Sequence, residues 1–144
     1  MELKLVKVLD LDLKMKNRVD EFILDKNSTG EFINTINYLS YHPVDRFIDD
    51  SIVILDESSG EIKCVVMAAS IKDDPKTVIS HPGTTFSGPI FKGNQLMQEV
   101  EVIVDLILNY YELRYSTIDF KLQPTIYSTQ PVEEIAYLLM KKGF

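Results

Sequence analysis

Apolar and polar positions alternate from about Leu3 to Leu13, at Leu3, Leu5, Val8, Leu11 and Leu13 with one slip, which predicts a first strand facing a core. Val19, Phe22 and Ile23 then fall at helical spacing between Asn17 and the turn residues Asn27-Ser28-Thr29-Gly30, and predict a helix. A second helix is predicted with Phe32, Ile33, Ile36 and Leu39 on one face and Pro43 closing it. Ser51 to Leu55 reads as a strand, Asp56-Glu57-Ser58-Ser59-Gly60 as a turn, and Ile62 to Ile71 as the returning strand of a hairpin. Asp73-Asp74-Pro75-Lys76 reads as another turn, before a strand from about Thr77. The course of that strand through His81-Pro82-Gly83 must be irregular, because proline and glycine both interrupt ladder pairing.

Asn94 reads as the N-cap of the longest helix, which runs to about Arg114 with Leu96, Val100, Ile103, Val104, Ile107 and Tyr111 on its buried face. Ser116 to Leu122 is a short strand. Pro131 suits the first turn of a last helix that carries Ile135, Leu138 and Leu139, with Glu133-Glu134 adding favourable negative charge there. The order is β-α-α-β-β-β-α-β-α, an α/β (α+β) pattern. At 144 residues, with no repeat or linker, the chain reads as one domain spanning 1–144.

Composition narrows the function classes. Fifteen Lys plus Arg against 22 Asp plus Glu give a net charge of -7, which opposes binding to the phosphates of DNA. The densest late basic pair, Lys141-Lys142, reads as a solvated helix end. The longest apolar runs, such as Cys64-Val65-Val66-Met67-Ala68-Ala69, fall far short of the roughly 20 residues that span a bilayer, so no membrane insertion is expected. The amino terminus has neither an apolar h-region nor a small-residue cleavage site, which predicts a cytoplasmic protein. Cys64 lies inside an apolar run and reads as a small buried hydrophobe. Two histidines without metal-ligand spacing predict no metal.

Three local patterns occur in order. They are Phe32-Ile33-Asn34-Thr35-Ile36-Asn37-Tyr38-Leu39-Ser40-Tyr41-His42-Pro43 leading to Arg46-Phe47, then Ser80-His81-Pro82-Gly83-Thr84-Thr85-Phe86-Ser87-Gly88, and Pro124-Thr125-Ile126-Tyr127 followed by Pro131-Val132-Glu133-Glu134. Together with the element order, they resemble bacterial GNAT-type acyltransferases of the Fem-like group over about Phe32 to Phe144. The resemblance implies a mixed, mainly antiparallel sheet flanked by helices. It implies an amino-terminal part of a longer relative, shortened before further C-terminal strands. It also implies acetyl-coenzyme A between the fourth and fifth strands, with its pyrophosphate on amides at the start of the long helix. The corresponding segment, Phe91-Lys92-Gly93-Asn94-Gln95, has one glycine and lacks the RxxGxG pattern, so Lys92, Gly93 and Asn94 stand as the cofactor-binding candidates.

The activity implied is acetyl or aminoacyl transfer to an amino group of a cell-envelope sugar or peptide precursor. The alternative is a non-catalytic GNAT-like binding or assembly domain. His81 is the catalytic candidate, as a neutral imidazole accepting a proton from the attacking amine, or else a hydrogen-bonded histidine fixing the turn at Pro82-Gly83. His42 and Arg46 are candidates for clamping a substrate carboxylate or phosphate, unless Arg46 pairs with Asp49 or Asp50. Thr85 beside the glycines, and Tyr127 between two prolines, complete the substrate-binding candidates, each with a purely structural reading beside it. A sheet edge left open by the missing strands predicts a homodimer or completion by a partner chain.

Overall fold

The computed structural model describes residues 2–124 and 133–144. Leu3–Lys7 forms β1, which stops earlier than its alternation suggests. A 3-10 turn at Val8–Asp10 redirects the chain, and Asp12 caps α1, Leu13–Leu24, by accepting from the Met15 N–H at 2.8 Å. The second predicted helix is two pieces, a 3-10 turn at Phe32–Asn34 and α2 at Ile36–Leu39. Thr35 is extended between them, and its hydroxyl accepts from the Tyr38 N–H at 3.1 Å, so a cap stands where the periodicity suggested an unbroken turn. Phe32 is accordingly exposed instead of facing the core.

Five strands follow: β2 (Phe47–Asp49), β3 (Ile52–Asp56), β4 (Ile62–Val66), β5 (Ala68–Ile71) and β6 (Asp74–Ser80). The predicted hairpin is present, with Gly60 at φ +73° in its turn, where a side chain would be strained. It is longer than predicted, because β2 pairs antiparallel with β5 below the β3–β4 ladder, and it is interrupted at Asp50-Ser51 opposite Met67. There the Ser51 hydroxyl replaces a ladder bond by accepting from the Ala68 N–H at 3.0 Å. The turn predicted at Asp73–Lys76 is tighter: Ile71 pairs with Asp74, and Pro75 already stands in β6, beyond the stretch that pairs with a second strand.

α3 covers Met97–Glu112, β7 covers Thr117–Asp119 and α4 covers Glu133–Lys141. Asn94 does not cap α3. The cap residue is Leu96, exposed and with no side-chain bond, and the preceding Gln95 is tied to the Lys63 carbonyl at 3.1 Å. β7 lies parallel to β6, with Thr77 opposite Thr117 and Ile79 opposite Asp119, and α3 makes the crossover. The result is mixed α+β, with one sheet in the order β1-β3-β4 and another in the order β2-β5-β6-β7. Lys141 and Lys142 are not simply solvated, since both meet Glu101 and Lys142 also meets Asp105 on α3. Pro131 lies outside the described residues.

Alternate side chains of the central strands serve two cores. Ile52, Ile54, Cys64 and Val66 pack with Val100, Ile103, Ile107, Tyr111, Leu138 and Leu139 from α3 and α4. Val53, Val65 and Met67 pack with Val19, Phe22, Ile23 and Leu39 from α1 and α2. Burial on both faces is why Cys64–Ala69 reads as an unbroken apolar run and not as an alternation. Cys64 is fully buried, and burial pushes its thiol well above the ordinary cysteine range. Among the described residues, no helix is long and apolar enough to cross a membrane.

Candidate functional site

β6 ends at Ser80, and the chain leaves the sheet through His81-Pro82-Gly83-Thr84 before rejoining it. Ser87 donates its N–H to the Lys121 carbonyl at 2.8 Å, and Ile90 bridges to Val65. This excursion is the irregularity that Pro82 and Gly83 predict. It places His81 beside His42, which follows α2, and beside Phe47, which opens β2. The two imidazoles are stacked with centroids 6.2 Å apart, and the Phe47 ring stands edge-on to His42 at 5.2 Å and to His81 at 5.1 Å. Arg46 lies over the Phe47 ring at 5.0 Å and reaches His42 Nδ1 at 3.4 Å.

His42, Phe47 and His81 of this cluster form one wall of a cleft of about 290 Å³. Val8, Leu39, Val44 and Met67 give it apolar surface, Lys16, Asp49 and His81 give it charge and hydrogen-bonding groups, and His42 lines it with its ring. Asp49 reaches it because β2 alternates: Phe47 and Asp49 share one face, while Ile48 and Asp50 take the other. Burial raises the Asp49 pKa, against bonds from the Ser51 hydroxyl at 2.8 Å and N–H at 3.4 Å that lower it.

Both imidazoles have a fixed tautomer when neutral. Gly83 donates its N–H to His81 Nδ1 at 3.1 Å, and Arg46, which has only donors, faces His42 Nδ1, so the remaining proton sits on Nε2 in each ring. His81 therefore presents an N–H donor from the turn that it fixes, while His42 Nε2 is buried under Gly83 with no hydrogen-bond partner among the described residues. Burial, with a smaller contribution from His42, lowers the His81 pKa to about 4.

That depression has a testable consequence. Between the ordinary histidine value and about 4, the unfolded chain binds a proton that the folded one refuses. The stability contributed by His81 is therefore present above pH 6.5 and lost as pH falls towards 4. We expect wild type to lose on the order of 3 kcal/mol more than His81→Asn over that interval in urea titrations at each pH.

Other candidates stand elsewhere. Thr85 is exposed on the excursion and does not line the cleft, and Tyr127 lies outside the described residues. Arg46 does not pair with Asp49 or Asp50, because its guanidinium is drawn to the Phe47 face and to His42, and Asp50 is turned to the opposite side of the strand. Lys92 pairs with Asp25 at 3.5 Å and covers the Phe22 ring at 5.3 Å. Gly93 donates its N–H to the Asn27 carbonyl at 2.8 Å, and Asn94 is exposed two residues before the helix cap. None of the three lies at the His42–His81 cleft.

The sequence reading missed Asp49 and Phe47 as site residues. The signal was the two-residue alternation Phe47-Ile48-Asp49-Asp50, a short strand with a carboxylate on its cleft face. No family model, curated protein or solved structure matches the chain.

Proposed function

We propose that the chain is a GNAT-like acyl-transfer domain whose cleft receives the amine acceptor, with His42, His81 and Phe47 as its recognition wall. The observation that carries this reading is convergence. The Tyr41-His42-Pro43 to Arg46-Phe47 segment and the Ser80 to Gly83 segment, two of the patterns that resemble Fem-like proteins, come from distant parts of the chain and build one wall of a cleft. The long helix α3 between β6 and β7 supports the reading, since the element order that carries the resemblance has a long helix before its next strand. In this reading His81 donates a hydrogen bond from Nε2.

A second reading, a non-catalytic binding domain, is favoured by a specific observation. The Gly93 N–H is already spent on Asn27, and beyond Asp119 the Lys121 N–H is bonded to Ser80 Oγ at 2.7 Å and its carbonyl to the Ser87 N–H. These bonds occupy the implied donor region. The deciding experiment offers amino-sugar and peptide amines with either acetyl-coenzyme A or aminoacyl-tRNA, and follows acyl transfer by mass spectrometry. Transfer that falls at least tenfold in His81→Asn supports the first reading. Silence with both donors, while amines still perturb the His42 and His81 resonances, selects the second.

A further inference from the structure

Two carboxylates stand side by side at the end of β2, and only one has a cation. Asp50 is 5% exposed and has Lys7 Nζ at 3.7 Å, together with phenol donors from Tyr110 and Tyr115. Asp49, on the cleft face, has only the Ser51 hydroxyl and N–H, and among the described residues no Lys, Arg or His nitrogen comes within ion-pair distance of it. Lys7, held by Asp50, favours the Asp49 carboxylate only at a distance and less than burial disfavours it, so a cationic ligand in contact would relieve the remaining cost. The remaining surroundings suit an organic cation. His81 is held neutral, the Phe47 ring forms one side, and Val8, Val44 and Met67 offer apolar surface. Lys16, the other charged group lining the cleft, belongs to α1 and is not paired with Asp49.

We propose that the cleft binds a small primary ammonium carried on an apolar or aromatic body, with Asp49 as the countercharge and Phe47 and Met67 against the body. The inference rests on the reading of the cleft as an amine-acceptor site, and it names the form in which the amine is held. The Asp49 carboxylate oxygens can still accept a further hydrogen bond, whereas both imidazole Nδ1 atoms are engaged.

The test measures binding of phenethylamine, phenethyl alcohol and hydrocinnamate to the full chain, by calorimetry and by shifts of the His42 and His81 resonances. Phenethylamine should bind at least tenfold more tightly than the alcohol, and Asp49→Asn should erase that difference. Equal affinity for amine and alcohol, or preference for hydrocinnamate, would overturn the proposal. Should Asp49→Asn fail to fold, Val44→Arg, at a position 97% exposed, supplies the second arm, since a fixed cation at the rim should weaken the amine at least tenfold more than it weakens the alcohol, and equal losses would overturn the proposal. The acyl-transfer reading fails separately: amine binding without transfer from either donor leaves this inference intact, and transfer without an ammonium preference removes it alone.

Discussion

Replacing Asp50 by alanine is expected to lower the unfolding free energy by about 2–3 kcal/mol, because it removes a buried acceptor shared by two part-buried phenols. The Asp50 carboxylate accepts from the Tyr110 hydroxyl at 2.7 Å and from the Tyr115 hydroxyl at 2.8 Å, with Lys7 beyond. Burial, reinforced by the bonds to Asp50, raises both phenol pKa values above the ordinary tyrosine range. Alanine leaves two part-buried phenols without their acceptor, and each costs part of its desolvation, whereas the exposed Lys7 ammonium returns to water. The bond from the Tyr111 hydroxyl at 2.9 Å goes to the Asp50 backbone carbonyl, so it survives the substitution and serves as an internal control. Urea unfolding should show a lower midpoint with an unchanged slope, and the thermal midpoint should fall by roughly 10 °C. Tyr115→Phe should cost about 1 kcal/mol in wild type and close to nothing in Asp50→Ala, which would locate the coupling in that bond. A loss below about 1 kcal/mol for Asp50→Ala would mean that the network contributes little beyond its own desolvation.

The network also explains why β2 was hard to read. Phe47–Asp49 is a three-residue strand that ends in two adjacent carboxylates, and such residues are poor strand formers by propensity. It is held as a strand from outside, by Tyr110 and Tyr111 of α3 and Tyr115 just after it, some sixty residues later, which reach Asp50, and by the Ser51 hydroxyl that stands in for a ladder bond. Elements that rest on local pattern were legible. The periodic face of α3 from Val100 to Tyr111 is buried as the spacing predicts, and the Gly60 turn of the hairpin is where the polar run places it. Boundaries that depend on capping were not, because Thr35 and Asp12 end or start helices through single side-chain bonds that leave the apolar spacing unchanged. His42 and His81 were legible as residues of interest through their motif settings. Their stacking, and the presence of Asp49 beside them, follow from strand pairing over long separations.

Gly83→Ala is expected to disable the cleft while leaving most of the fold standing. A Cβ built at Gly83 would lie 2.3 Å from His42 Nε2, 2.8 Å from Cδ2 and 3.0 Å from Cε1, all well inside van der Waals contact. The clash is with the end of a side chain, so the imidazole can swing away, and overpacking of this kind costs about 1–3 kcal/mol. Swinging away breaks everything that defines the wall: the stack on His81, the edge contact with Phe47 and the approach of Arg46 to Nδ1. Proton titration by NMR supplies a readout that a purely structural role for Gly83 would not move. His81 should titrate near 4 in wild type, where burial dominates and His42 adds to the depression. In Gly83→Ala, with His42 displaced and water admitted, its pKa should climb towards the ordinary histidine value. Phenethylamine affinity should fall at least tenfold in the same variant. Unchanged histidine titrations with unchanged affinity would mean that the His42 ring is not packed beneath Gly83 and that the wall is built differently. A raised His81 pKa with full affinity would separate the two histidines from ligand recognition and leave Asp49 and Phe47 to bind alone.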